Sequence, residues 1–596
     1  FRSMRNTPRP LVASLAASAV LLTSCGTDSA LDSTRSAAPS SAPAADTGCA
    51  TDTARSTSGS NGFAVATTHP QAAWAACTVL AQGGSAADAV AAAQLALGVV
   101  EPMSSGPGGG ALAVYYDAHT RSLSSYDGTV VAPKDETGDA LSSAGVPHTL
   151  ALLASLRADY GVLDASSIAE PARDLASDGF TVSERFADAA ASDGSPLTDT
   201  GLAEKLYGAE GADGITAGET LTNRAYADFL GSWIDTDGAL SKDTIESLAS
   251  ELPDVAGRAN FAREWHDAAA AEVDPLCVTF QDTEVCGVGS PATGTPIVAQ
   301  TLGILNHLDP ARHEPYDNDG LRVARTTAAH EIIEAERIAF ANANTWAGDP
   351  AGDKAQEAIA DGYINDIVTD RRTLKGEAES IRKKRPLKEP EAERLDGVAG
   401  KYRDFEEEGT AQISVRDGEG SFASVTTTLQ KNFGTGLTAG GFFINNSLDN
   451  FGGDDPREPN FRAPGRHPKT TMSPLIITDN GGDAVAALGS PGGKSIPSYN
   501  IKTTVALTAW GLAPDQAVTM PNFGATGRHS AYVEAPKHED IPRDMKRMRK
   551  VLERWGHSLD TGEADSGTSV VTFIDGTVAA AADPRRGGGA AASSAP

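Results

Sequence analysis

The 596 residues carry 79 acidic and 49 basic side chains, giving a formal charge of −30 and a pI near 4.7. A surface this acidic repels nucleic-acid phosphates and anionic membranes, which excludes nucleic-acid binding as an expected role. With 40% hydrophobic and 6% aromatic residues, and with 61 Gly and 33 Pro, the chain has an ordinary globular composition and enough length for a large core.

The chain opens with Arg5 and Arg9, then an apolar stretch from Leu11 to Leu22 that is too short to span a bilayer but suits a signal peptide. Leu22-Thr23-Ser24-Cys25 follows and resembles a bacterial lipobox. Residues 1–25 are therefore expected to be a signal peptide, with Cys25 lipidated and the protein exported and anchored on the outer face of a bacterial cytoplasmic membrane. A plain secretory signal with an incidental cysteine is the other reading. Residues 26–60 are rich in Ser, Thr, Ala, Asp and Pro, a flexible-tether composition.

Export permits disulfides, and Cys49, Cys77, Cys277 and Cys286 allow three pairings. Cys277 and Cys286 flank two β-rich runs around Gln281-Asp282, which reads as a hairpin with bridged ends. Cys49 is then left to staple the tether to the helix carrying Cys77.

From 61 to 409 helical patterns dominate. Thr68 is expected to cap a first helix with Pro70 in its first turn, and Gly83-Gly84 to stop it. Ser85 caps a second helix from Ala86 to about Val99, with Asp88 as a capping-box partner; its apolar residues on nearly every face predict burial. Gly106-Pro107-Gly108-Gly109-Gly110 then leads into a strand at Ala111 to Tyr115. The charged segment from Asp370 to Glu408 reads as solvated surface, and a boundary belongs at Gly409-Thr410.

From 410 to 584 strands dominate. Ala411, Ile413 and Val415 alternate with Gln412, Ser414 and Arg416, which predicts a half-buried strand starting at Thr410. Phe422 to Leu429 returns antiparallel after Asp417-Gly418-Glu419-Gly420, placing Thr410 opposite Thr427 or Thr428. A threonine hydroxyl needs a base to become a nucleophile. The α-amine of the same residue can serve, once the preceding peptide bond is cut.

A glycine turn, Gly489-Ser490-Pro491-Gly492-Gly493, joins a strand at Ala484–Leu488 to a helix from about Pro497 to Trp510. Its backbone N–H groups and the helix N-terminus suit a phosphate or an oxyanion, and the lack of a Gly-Lys-Ser/Thr ending disfavours the phosphate. A second helix is predicted at Arg543 to Trp555. The last stretch, 585–596, is of low complexity and expected to be a disordered tail. There is no CxxC, HExxH or GxSxG, and the 11 His lack metal-ligand spacing, so neither metal nor cofactor is expected.

These segments, in this order, resemble the γ-glutamyltransferase family over roughly Gly62 to Gly587. The markers are His69-Pro70, Gly83 to Ala89, Val100-Glu101-Pro102-Met103-Ser104-Ser105-Gly106, Gly145-Val146-Pro147 and Gly348-Asp349-Pro350. Further on come Gly409-Thr410, Phe433-Gly434-Thr435-Gly436, Asn445-Asn446, Met472-Ser473-Pro474 and Gly489 to Gly493. The resemblance implies the four-layer αββα sandwich of N-terminal-nucleophile hydrolases, self-cleavage between Gly409 and Thr410 into two associated subunits, and an acyl-enzyme on Thr410. The implied substrates are γ-glutamyl amides such as glutathione, with water or an amino acid as acceptor.

Carried over by position, Thr428 partners the nucleophile, Gly492 and Gly493 form the oxyanion hole, and Thr470 and Thr471 hold the substrate carboxylate. Other recognition positions depart from the family pattern. Thr129 stands where the family has a carboxylate-binding Arg, and Asn450, after Asp449, stands where it has an acidic residue for the α-amine. Gln430 replaces an Asn and Ser447 a Gln, and Ala411-Gln412 follows the nucleophile in place of Thr-His. These departures leave two alternatives to a γ-glutamyltransferase: an amide acylase of relaxed, glutaryl-type or cephalosporin-acylase-like specificity, or an idle lipoprotein binding module.

Overall fold

The strand that opens with Thr410 lies near the middle of a seven-stranded antiparallel sheet. In the computed structural model, which describes residues 48–253, 257–401, 408–535, 541–560, 562 and 564–594, its order is Gly589–Ser594, Gly62–Thr67, Gly409–Arg416, Phe422–Gln430, Gly110–Asp117, Ser122–Gly128 and Ala271–Val273. A second seven-stranded antiparallel sheet runs Ala54–Ser58, Thr577–Ala582, Ser569–Ile574, Ala484–Gly489, Leu475–Asp479, Thr283–Val288 and Pro275–Phe280. The signal segment with Cys25 lies outside the described residues, as does 402–407 just before the Thr410 strand.

Side-chain alternation sorts these strands into layers. Val65, Ala113, Ile413, Val415 and Val425 face outward onto helices Pro70–Ala81, Ala86–Val100, Thr149–Tyr160 and Arg224–Asp235. Ala64, Leu112, Val114 and Phe422 face inward, against Ile476, Ala487, Val571 and Val578 of the second sheet. The far face of that sheet (Val285, Ile477, Leu488, Val570) packs on helices Gly294–Leu305, Thr326–Trp346, Ile496–Thr508 and Arg543–Trp555. The result is the four-layer αββα sandwich. Among the described residues no helix is long and apolar enough to cross a membrane.

Helix Ala86–Val100 is buried at every residue, and Ser85 and Asp88 close the capping box. The first helix is capped one residue later than the sequence suggests: His69 Nδ1 accepts from the Gln71 amide, while Thr68 turns inward and donates to Glu101 Oε2 at 2.9 Å. Both disulfides form, Cys49–Cys77 and Cys277–Cys286, the latter across directly paired strands.

Three expectations are corrected. The Thr410 strand is buried on both faces, because its polar side meets the second sheet instead of water. Polar atoms there tie the sheets together: Ser414 Oγ donates to Ser569 O, Ser424 Oγ to Leu488 O, and Gln412 Nε2 to Ser414 and Ser424. The expected tether to residue 60 ends earlier, since Cys49 is bridged and Ala54–Ser58 pairs with Thr577–Ala582. The expected disordered tail is instead an edge strand, Gly589–Ser594, whose Ala590 and Ala591 are fully buried. A Cβ at Gly589 would meet Pro70 Cα at 2.5 Å, so small residues fill a narrow slot there and low complexity is a packing requirement.

Candidate active site

The hairpin register pairs Thr410 with Thr428, resolving the two positions the sequence left open. The pairing then slips, Gly409 opposing Gln430, so that Leu429 bulges out and its amide donates to Ser104 O. Beyond the bulge Gln430 has φ +83°, a left-handed conformation costly for a side-chain-bearing residue. Only glycine fits before Thr410: a Cβ at Gly409 would lie 2.6 Å from Lys431 O and 2.8 Å from Met103 O.

The bulge brings three oxygens together. Thr428 Oγ1 donates to Gly409 O at 2.6 Å, accepts from the Gln430 amide at 2.9 Å, and lies 3.1 Å from Thr410 Oγ1. With its one proton on Gly409 O, Thr428 can only accept from the Thr410 hydroxyl. Both threonines are buried. The arrangement aims a hydroxyl beside a carbonyl that a second hydroxyl already polarises.

Thr428 also forms part of the wall of a narrow cleft, with Gly110, Thr129, Gln430, Ser447, Asn450, Lys469 and Thr470 around it. Five expected recognition residues are therefore brought together. Gln430 and Asn450 bond reciprocally through their amides, Asn450 Nδ2 donating to Gln430 Oε1 at 2.7 Å and to Lys469 O at 3.1 Å. Ser447 Oγ is buried with no protein partner. Thr129 Oγ1 donates to Asp127 Oδ1 and sits 2.8 Å from His467 Nδ1. Asp449 is turned away, accepting from Ser143 Oγ at 2.7 Å and Asn446 Nδ2 at 2.9 Å.

Thr471 lines an adjoining pocket with Asn344, Lys401, Asn450, Lys469 and Lys494, and donates to Gly493 O at 2.8 Å. The glycine turn lies alongside the hairpin, for a Cβ at Gly489 would strike the Gln412 amide. Gly492 has φ +135° and packs on the Tyr499 ring, where a Cβ would approach to 2.5 Å. The helix beyond begins at Ile496 after a single 3₁₀ turn, Gly493–Ser495.

Two features escaped sequence reasoning. Lys469, in both cavities, has no motif around it; burial lowers its ammonium to about 8 despite Glu458 nearby. His330, Glu334 and His557 form a buried group, brought together only by the fold. Its polar atoms are engaged: His330 Nδ1 and His557 Nε2 lie 2.7 Å apart, His330 Nε2 meets Arg382 O, and Glu334 accepts from Arg337 and from the Leu387 amide.

Two antiparallel sheets packed face to face and enclosed by helices, with Thr410 at the head of a central strand of one of them, make the architecture of the N-terminal-nucleophile hydrolases, and this chain is one. The family model described as Gamma-glutamyltranspeptidase matches residues 72–593, and the chain belongs to that family. It is 27% identical to the glutathione hydrolase proenzyme of Bacillus subtilis (strain 168) over 542 residues, covering 86% of this chain and 87% of that one. The corresponding Escherichia coli (strain K12) proenzyme is 26% identical over 547 residues, covering 85% and 87%. The crystal structure of cephalosporin acylase from Bacillus halodurans shares the fold, with a TM-score of 0.72 at 21% identity over 90% of this chain and 96% of that one.

Proposed function

We propose that this precursor cuts itself between Gly409 and Thr410, and that the freed Thr410 hydrolyses or transfers the acyl group of γ-glutamyl amides such as glutathione. The observation that carries the reading is the hydrogen-bond chain from Thr410 through Thr428 to Gly409 O. In the first reaction Thr410 Oγ1 bonds to the Gly409 carbonyl carbon, the Gly409–Thr410 C–N bond breaks, and the hydroxyl proton ends on the departing amine. Water then cleaves the ester, leaving a Gly409 carboxylate and a free Thr410 α-amine. That amine takes the Oγ1 proton in the second reaction, Oγ1 attacks the substrate amide, and the leaving amine departs protonated. Gly492 and Gly493 N–H groups serve the oxyanion, and water or an amino acid releases the acyl group.

Recognition differs from the usual family pattern. Thr129 and Asn450 carry no charge, and Gln430 and Asn450 satisfy one another. Lys469 is the cation that borders the cleft, and it supports an acyl chain ending in a carboxylate whether or not an α-amine is present. Export and anchoring through Cys25 belong to the same reading and rest on the Leu11–Cys25 pattern. Denaturing intact mass spectrometry tests the whole: wild-type protein should give two chains divided before Thr410, with an acyl adduct on the smaller after substrate. A single chain after prolonged incubation would refute it.

A further inference from the structure

The peptide unit that Thr410 attacks is gripped on both sides. Arg185, on helix Glu184–Ala191, donates through Nη2 to Glu408 O at 3.2 Å. Arg586, in the 3₁₀ turn Pro584–Arg586, donates through Nη1 to Thr410 O at 3.3 Å. These carbonyls are the immediate neighbours of Gly409 O on either side. The two guanidiniums meet on one oxygen: Asp565 Oδ2 accepts from Arg185 Nη1 at 3.0 Å and from Arg586 Nη2 at 2.9 Å. Arg586 Nε also donates to Asp565 O at 2.9 Å.

We infer that Arg185, Asp565 and Arg586 form a clamp that positions the Glu408–Thr410 segment for self-cleavage. The inference rests on the self-cleaving reading above and adds three positioning residues that contact neither the reacting hydroxyl nor the acyl cleft. Attack by a residue on its own preceding carbonyl demands a strict approach direction, so fixing the flanking carbonyls removes the main freedom the peptide has. The second effect is electrostatic. Two cations beside the segment favour the negative charge that develops on Gly409 O.

Alone, two guanidiniums this close would repel one another; Asp565 joins them. Partial desolvation works the other way, but Arg586 and Arg185 together hold the largely exposed Asp565 carboxyl below its ordinary value. Glu101, buried behind them and held by Thr68, adds a second carboxyl near the pair. The arms come from distant parts of the chain, one from the helix-rich part and one from the turn after Asp583. Cleavage is thereby coupled to docking of the final turn and strand, so that a chain still lacking them holds the Gly409–Thr410 bond on one side only.

The test follows conversion of freshly translated full-length chain into two fragments by mass spectrometry. Arg185→Ala and Arg586→Ala should each slow cleavage by about 10- to 100-fold. Millimolar guanidinium should restore much of the rate by filling the vacated position, a rescue that a merely structural defect would not show. Arg185→Ala, the more accessible arm, keeps the test valid where Arg586→Ala fails to fold. Wild-type cleavage rates in these variants, or slowing that guanidinium does not relieve, would overturn the clamp. Wild-type and Thr410→Ala chains run alongside: no cleavage in the first, or cleavage in the second, defeats the self-cleaving reading itself and not the clamp alone.

Discussion

The Thr428 hydroxyl hydrogen-bonds Gly409 O at 2.6 Å and lies 3.1 Å from the Thr410 hydroxyl. One side chain thus touches the attacking group and the attacked carbonyl, and accepts the Gln430 amide as well. The geometry requires a hydroxyl and not the methyl. Thr428→Val should slow appearance of the two fragments by about 100- to 1,000-fold, the scale of losing one oxyanion donor, while Thr428→Ser stays within about tenfold of wild type. A denaturing-gel time course separates the two outcomes, and equal slowing in both variants would remove Thr428 from the mechanism.

The polar layer between the sheets makes a separate claim, on stability. The two protons of Gln412 Nε2 are shared among Ile413 O, Ser414 Oγ and Ser424 Oγ, and Gln412 Oε1 accepts from Thr426 Oγ1 at 2.6 Å, all in a buried interface. Gln412→Leu leaves Thr426 Oγ1 without its acceptor, at about 1–3 kcal/mol for a buried group left unsatisfied, while Ser414 and Ser424 keep their bonds to Ser569 O and Leu488 O. Thermal unfolding should show a clear fall in midpoint. A variant as stable as wild type would mean that the partners re-pair among themselves.

The disulfides are expected to differ in effect. The Cys49–Cys77 bridge closes a separation of 28 residues and the Cys277–Cys286 bridge one of 9. On loop-closure entropy their removal costs about 3.6 and about 2.7 kcal/mol respectively. Denaturant unfolding of Cys49→Ala/Cys77→Ala and Cys277→Ala/Cys286→Ala proteins should rank them in that order. The reverse order would show that the hairpin bridge supports more of the sheet edge than entropy alone assigns it.

Local signals carried much of this structure. The capping box of Ser85 and Asp88, the all-apolar helix behind it and the helix Arg543–Trp555 follow from side chains within a few residues of one another. The hairpin at Thr410 was legible in the same way, yet its register was not, because the turn that pairs Arg416 with Phe422 decides which threonine lies opposite Thr410. Strand alternation showed that Gln412 and Ser414 share a face. It could not show that a second sheet covers that face. The tail failed for a related reason: Ala590 and Ala591 read as low complexity until the Gly62–Thr67 edge they pair with is known. Arg185 and Arg586 lie about 400 residues apart and meet at Asp565 only through the fold.

The edge strand yields a prediction of its own. Removing residues 588–596 exposes the backbone edge of Gly62–Thr67 and empties the slot beside Pro70. Unpaired edges invite association between chains. The truncated protein should show raised aggregation by light scattering and slower cleavage before Thr410. Unchanged behaviour in both would make the strand dispensable.

Substrate choice turns on Lys469. The residues around the cleft include Thr129, Gln430, Ser447, Asn450 and Thr470, all uncharged, so neither a fixed guanidinium nor a carboxylate there reads the two charges of a free glutamyl end. A hydrogen bond to a charged group contributes about 1.5–3 kcal/mol, and the absence of each such bond weakens discrimination by about 10- to 100-fold. Preference for γ-glutamyl over glutaryl anilides in kcat/KM should therefore stay under about 1,000-fold, the scale of two absent charged hydrogen bonds. On the proposed reading the acyl carboxylate is met by the Lys469 ammonium, which donates to Ala343 O and Asn344 O in the structure, and it is met within a pH window. Burial lowers its ammonium to about 8, so the charge is present below that value and lost above it. KM for both anilides should rise as pH passes 8 while kcat changes little, and Lys469→Met should raise KM at pH 7 and remove that rise. A γ-glutamyl preference far above 1,000-fold would overturn relaxed recognition. A KM that climbs above pH 8 equally in Lys469→Met would take the lysine out of substrate binding.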